Sequence, residues 1–368
     1  MMNAENIKVS IVMPIYNASD YLRPAIETVL SQTLTEIELI CVDDGSTDNS
    51  LEIIKGYQAD DDRVRIVTEN NAGPSVARNK GLARARGQYV MFLDADDFYD
   101  SKLLEKLYDM SEKDNLDMAI CKFDIYNSRK GKYENNIKSD HGEIFEDGKI
   151  VSHSECPDVI LSCTTGYIWN KMFRREFLIE KEIVFDPDLR MFEDSCFVVS
   201  SLSLADRVGK CDERLIHHRV YSNQSRSQLF KKYYAQVPVM YAKVKEFLRS
   251  HGMYEPLSQS FLNLSSSRCY KIYNLLWSNA KEEFWDMLHN EYAEIFGWTK
   301  AEPEYFESDE VRDFVASVLM YTHKQNSKRE DRGLAVRIKN VGRTLKAMQL
   351  RKKIKENLSK VFKKPDGE

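Results

Sequence analysis

Across its first hundred residues the chain alternates short apolar runs with segments whose apolar side chains recur three or four apart, and few folds accept that pattern. Residues 8–16 are almost wholly apolar. The segment that follows puts Leu22, Ile26, Val29 and Leu30 on one helical face, with Ser19 as the expected cap. Residues 37–43 read as a second strand, Leu51, Ile54 and Tyr57 mark a second helix, and residues 64–68 a third strand. Pro74 suits the first turn of another helix, Gly87 follows its end, and residues 89–93 form a short apolar strand. Regular alternation of this kind predicts an α/β fold, a mainly parallel sheet flanked by helices.

Further on, a helix over residues 101–113 and a strand over 118–123 precede a polar stretch, 126–148, that reads as a surface loop or irregular hairpin. Residues 168–173 are strand-like, 175–181 helical, and a helix opens near Asp194 and closes near Ala205. From Leu229 the pattern is helical almost throughout. The expected division is an α/β domain over residues 1–225, a helical domain over 226–327 and a basic helical tail over 328–368. With 368 residues, 42% of them hydrophobic, the chain can fill two packed domains.

No stretch approaches the roughly 18 consecutive apolar residues of a membrane span, and the start lacks a signal-peptide layout, so the expected location is the cytoplasm. Seven scattered cysteines, with no Cys-x-x-Cys pair, read as reduced thiols and argue against a zinc ribbon or a disulfide framework. The net charge of −5 conceals a basic tail, because residues 328–364 hold 14 Lys/Arg against three acids. Leu334, Ile338, Val341, Leu345 and Met348 make it amphipathic, and two readings compete. Such a helix binds an anionic bilayer, here the inner face of the plasma membrane, or packs on the acidic body or on a second subunit in a homodimer. Nucleic acid is not an expected partner, since the tail lacks interleaved aromatics and the remainder is acidic.

In open α/β sheets ligands bind beyond the carboxyl ends of the strands, and three polar clusters fall there. They are Pro14-Ile15-Tyr16-Asn17, Asp43-Asp44-Gly45-Ser46 and Asp94-Ala95-Asp96-Asp97. Asp94 and Asp96, two apart in an extended segment, offer hard oxygen ligands to Mg²⁺ or Mn²⁺; the same acids also suit a solvated turn or a helix start. Tyr16 offers a flat face to a nucleobase, Asp44 an acceptor for a base N–H, and Arg78 a cation for base or phosphates. Taken singly, Tyr16 can instead cover the sheet end, Asp44 close an Asx-turn and Arg78 be a solvated charge. Their joint placement favours a ligand.

Together these segments resemble the family 2 glycosyltransferases of the GT-A fold. Val9-Ser10-Ile11-Val12-Met13-Pro14-Ile15-Tyr16-Asn17, Val42-Asp43-Asp44-Gly45-Ser46-Thr47-Asp48, residues 73–81 and Phe92-Leu93-Asp94-Ala95-Asp96-Asp97 are similar to that family's four successive motifs, in order. The resemblance implies non-processive, inverting transfer from a nucleotide-sugar donor, a UDP-sugar first, to a hydroxyl of a saccharide or lipid-linked saccharide in cell-surface polysaccharide synthesis. It implies Pro14, Tyr16, Asn17, Asp44, Arg78, Asp94, Ala95 and Asp96 around the nucleotide, with Asp94 and Asp96 as ligands of Mn²⁺ or Mg²⁺. It extends more loosely over Trp169-Asn170-Lys171 and Met191-Phe192-Glu193-Asp194, and implies Asp194 as catalytic base with Trp169, Asn170 and Glu193 toward the acceptor.

Inverting transfer needs one carboxylate to take the acceptor proton, and Asp194 suits that task; Glu193 and Asp194 also suit a helix start. His218 lies where it can reach the donor phosphates, or is a partly buried histidine without function. Trp169 can stack on a sugar or serve as core. A nucleotidyltransferase would need a glycine-rich phosphate loop after the first strand, and a dinucleotide-dependent reductase a Gly-x-Gly-x-x-Gly; neither motif is there. The remaining rival is a non-catalytic scaffold of the same fold, against which the intact Asp94, Asp96 and Asp194 set argues.

Overall fold

The computed structural model describes residues 7–134, 142–220 and 233–320, and in them nine strands make one sheet. Four are parallel: β1 (Val9–Ile15) lies between β2 (Ile37–Asp43) and β4 (Tyr89–Phe92), and β3 (Val64–Thr68) extends the β2 side. Strand β1 reads as a continuous apolar run because both its faces are covered. Val9, Ile11, Met13 and Ile15 join the core shared with α1 (Leu22–Leu30), α2 (Ser50–Asp60) and α4 (Leu103–Asp114). Val12 belongs to the opposite core, with Ala77 and Leu82 of α3 (Pro74–Leu82).

The other half of the sheet is mixed. Strand β8 (Lys171–Arg174) is antiparallel to both β4 and β6 (Met118–Asn127). Strand β9 (Val208–Val220) runs parallel to β6, and the short β5 (Phe98–Tyr99) pairs antiparallel with β9. The expected irregular hairpin is β6 folding back on β7 (Lys132–Glu134). The full order is β3-β2-β1-β4-β8-β6-β9-β5, with β7 beside β6.

Helix α1 differs from expectation at its start. It has no side-chain cap: the helix opens at Leu22, three residues after Ser19, whose N–H donates to Asp48 Oδ2 at 2.9 Å. Helices α5 (Arg175–Glu180) and α6 (Glu193–Leu202) follow β8. Next come α7 (Gln236–Ser250), α8 (Ser258–Leu275), α9 (Ser278–Met287), α10 (Ala293–Phe296) and α11 (Asp309–Met320). Their Val244, Phe261, Phe284 and Val315 share one buried cluster with Val12, Phe92 and Phe197, so the helical segment and the sheet have a common core. Among the described residues no helix is long and apolar enough to cross a membrane. The basic tail expected over residues 328–368 lies outside the described residues.

Candidate active site

The loops after β1 and β2 are laced together at the carboxyl end of the sheet. Asn17, at φ 49°, accepts from the Thr47 N–H through Oδ1 at 2.8 Å and donates its own N–H to Ser46 Oγ at 3.1 Å. Asn17 therefore fixes the two loops, while Tyr16 beside it is 50% exposed, with ring surface free for a ligand. Pro14, next to the last residue of β1, is half-buried. Asp44 is buried, and its carboxylate accepts from the Ala72 and Gly73 N–H groups at 2.7 and 2.8 Å. It thereby ties the strand-two loop to the entry of α3, and each oxygen keeps a second lone pair. Gly73 is obligatory there: its φ is 95°, and a Cβ would stand 2.7 Å from Arg190 Nη1.

Arg78, one turn into α3, is the hub. Nη2 donates to Asp94 Oδ1 at 3.1 Å and Nη1 to Glu193 Oε1 at 3.2 Å. Nη1 also stands 3.1 Å from Asp194 Oδ1, but off-axis, for that buried oxygen receives no hydrogen bond. Burial disfavours the guanidinium charge, yet Asp194, Asp94 and Glu193 outweigh it and raise its pKa. One cation thus joins the acids after β4 to those that open α6, where Glu193 stands 115 residues from Arg78 in sequence. Glu193 and Asp194 begin α6 directly after Phe192, whose φ of 68° puts a bulky residue in the left-handed region. Such backbone costs on the order of 1–3 kcal/mol and concentrates where geometry serves a site.

Three carboxylate oxygens, one each from Asp94, Asp96 and Asp97, lie within 4.8 Å of one another. Burial, then Asp97 and Asp94, push the Asp96 carboxyl up to about 7. Asp97 is fully buried and already engaged, accepting from His218 Nδ1 at 3.1 Å and the Arg219 N–H at 2.7 Å. Arg219 Nε also donates to Asp96 O at 2.9 Å, and the Tyr99 hydroxyl to Asp94 O at 2.6 Å. Ala95, between the two outward acids, is buried. A cluster so rich in like charge, with oxygens at this spacing, fits a hard divalent cation held by Asp94 and Asp96. Asp97 holds the loop in place.

Burial also dominates at Asp194, opposed chiefly by Arg78, and pushes it up to about 7. A carboxylate poised there, with an oxygen unpartnered, can accept a proton from a hydroxyl. Two residues expected near an acceptor are placed differently. Trp169 is 2% exposed, stacked with Tyr167 and His218 and edge-on to Phe123, so no ring face is open to a sugar. Asn170 is likewise buried, donating to Cys121 O at 2.9 Å and accepting from Lys171 Nζ at 2.7 Å. His218 meets Asp97. The His217-His218-Arg219 run, where the sequence puts a histidine within reach of the donor phosphates, instead closes on Asp97. The wholly buried Lys171, whose ammonium also donates to Thr165 O and Tyr167 O, has no local signal of that role.

Residues 10–180 match the model for glycosyl transferase family 2. The chain is 36% identical over 219 residues to the uncharacterized glycosyltransferase EpsJ of Bacillus subtilis, covering 58% of this chain and 62% of that one. It is 37% identical over 187 residues to the uncharacterized glycosyltransferase YibD of Escherichia coli, covering 50% and 53%. The matched stretch therefore spans little more than half of these relatives. Among solved structures, Staphylococcus aureus TarS residues 1–349, crystallised with UDP, aligns at TM-score 0.51 and 20% identity over 87% of this chain and 93% of that one. The same TarS fragment with UDP-GlcNAc gives 0.52 at 19%, with the same coverage. The shared fold is GT-A, with a helical C-terminal region. Residues 10–180, by the motifs they hold and the fold they take, form a glycosyl transferase family 2 domain.

Proposed function

We propose that the chain transfers a sugar, with inversion, from a UDP-sugar to a hydroxyl of a saccharide or lipid-linked saccharide. The observation that carries this reading is Arg78, which gathers the acids of a metal cluster and a proton-accepting carboxylate around one guanidinium at the strand ends. Pro14, Tyr16 and Asp44 take the base, with Asn17 and Ala95 shaping the loops around the nucleotide. Asp94 and Asp96 hold Mn²⁺ or Mg²⁺, which when bound supplies a Lewis acid to the leaving diphosphate. Arg78 adds fixed positive charge on the same side. Asp194 takes the acceptor proton as the hydroxyl oxygen attacks the anomeric carbon, and Glu193 orients the acceptor. TarS structures with UDP and UDP-GlcNAc support the choice of donor. The basic tail supports a site of action at the cytoplasmic face of the membrane when the acceptor is lipid-linked.

Two variants test the assignment. Asp194→Asn should lower transfer by about 10²–10⁴-fold while leaving metal-dependent UDP binding intact. Asp96→Ala should weaken that binding. Near-normal turnover by Asp194→Asn would remove Asp194 from the mechanism.

A further inference from the structure

Lys171 opens β8, between β4 and β6, and no part of it is exposed. An ammonium so placed gives up its hydration, and burial pulls its pKa down to about 7 against the opposing influence of Cys163, Cys121 and Asp194. The protein replaces the lost water in full. Lys171 Nζ donates to Thr165 O at 2.9 Å, Tyr167 O at 2.7 Å and Asn170 Oδ1 at 2.7 Å. Three acceptors match the three N–H bonds of an ammonium, whereas a neutral amine has two, so the arrangement selects the charged form.

The segment gathered in this way runs along the base. Residues 165–170 curl round the ammonium with two carbonyls turned inward. Asn170 pins the far end to β6, donating Nδ2 to Cys121 O at 2.9 Å while its own carbonyl accepts from the Cys121 N–H at 3.0 Å. Near the other end, Gly166 lies against the first turn of α6, where an added Cβ would stand 2.9 Å from Ser195 Cβ and 3.2 Å from Ser195 Cα. Ser195 follows Asp194 directly. Burial raises the Asp194 carboxyl, Arg78 opposes it, Glu193 and Asp94 add to the rise, and the Ile168 N–H in the middle of the clamped segment lowers it. The hydrogen bonds of Lys171 reach none of the residues proposed for the donor. Its influence falls on Asp194, through its charge and through the backbone it holds.

We propose that Lys171 is a positioning residue for the base: by clamping residues 165–170 against α6 it fixes the Ile168 N–H beside Asp194 and so the pose of that carboxylate. The assignment rests on the transferase reading above. Asp194 then stands between two fixed cations, the Arg78 guanidinium in contact with it and the Lys171 ammonium behind the segment.

Carbon-13 NMR titration of the full chain labelled at aspartate tests this without substrate, the Asp194 signal being identified by its loss in Asp194→Asn. Lys171→Met keeps a stem of similar length and removes the charge and all three donors. The Asp194 midpoint, about 7 in the parent, should rise by about one unit in this variant, tenfold tighter proton binding. Gly166→Ala leaves Lys171 in place but forces the segment off Ser195; it should move the midpoint in the same direction, and Ser195→Gly added to it should restore the parent value. A lysine that only fills the core would lower the melting temperature and leave the midpoint where it was. An unmoved midpoint in folded Lys171→Met therefore overturns the proposal, and if that variant does not fold, an unmoved midpoint in Gly166→Ala does so. Calorimetry with UDP and Mn²⁺ separates the two readings. The folded variants should bind UDP within about twofold of the parent, as expected for positions with no donor contact. Loss of that binding in them would overturn a role confined to the base, whereas a parent that ignores UDP would sink the transferase reading alone.

Discussion

At the residue scale, Asp194 is held in a state that favours chemistry over stability. Burial lifts its carboxyl to about 7, the charge of Arg78 is the main restraint, and the left-handed Phe192 before it fixes the entry to α6. A base must be deprotonated to act, so kcat/KM should rise with pH and level off above about 7. A rate flat from pH 5 to 9 would exclude Asp194 as the titrating base. The sign for stability is opposite. A carboxyl whose folded pKa lies above its unfolded value binds protons more readily when folded, so it destabilises the fold as pH climbs past the unfolded value, fully so above about 7. Asp194→Asn removes that penalty and leaves Arg78 with Asp94 and Glu193. Calorimetric melting should show a higher Tm for the variant at pH 8 and little difference at pH 4; equal or lower Tm at pH 8 would contradict this account.

Among the elements, the amino end of the sheet is pinned by a buried acid. Glu38 of β2, 1% exposed, accepts from Ser10 Oγ on β1 at 2.7 Å, Arg65 Nη1 on β3 at 2.8 Å and the Arg86 guanidinium at 2.8 Å. Burial alone would raise its carboxyl, and those hydrogen bonds together pull it below its ordinary value. Glu38→Ala removes the buried acceptor of these bonds while the partly exposed arginines turn to water, and it should cost about 1–3 kcal/mol in urea unfolding at neutral pH. Because the folded pKa is depressed, the stabilisation is present above the unfolded value and disappears as pH falls through the folded one. The gap between variant and parent should therefore narrow on acidification, and a gap independent of pH would refute the linkage. Strands β1, β2 and β4 were legible because burial on both faces writes a mostly apolar run into each, broken inside only by the paired Ser10 and Glu38. Strand β9 was not, because the exposed Asp212-Glu213-Arg214 bulge breaks any period of two. Strand β5 has only two residues, too few for any pattern.

Over the whole molecule, the site is an assembly across distance. Asp44, Arg78, Asp94 and Asp96 stand in short local motifs that mark their own strand ends, so the residues proposed for the donor could be named from sequence. Asp97 meets His218 across 121 residues, and Lys171 meets its carbonyls only once β8 is laid between β4 and β6. No local pattern carries such pairings. Trp169 misled because an aromatic beside a motif looks the same whether it faces a sugar or the core, and only the packing of Tyr167, His218 and Phe123 decides. The shared core of sheet and C-terminal helices keeps α6, and with it Asp194, in fixed relation to β4. A frame of this kind should present a metal-dependent uridine nucleotide site. Calorimetric titration of the full chain with UDP, GDP and dTDP, each with and without Mn²⁺, measures this. UDP should bind only with Mn²⁺, and the other two more weakly or not at all; UDP binding indifferent to the metal, or none at all, would remove the metal-dependent uridine site.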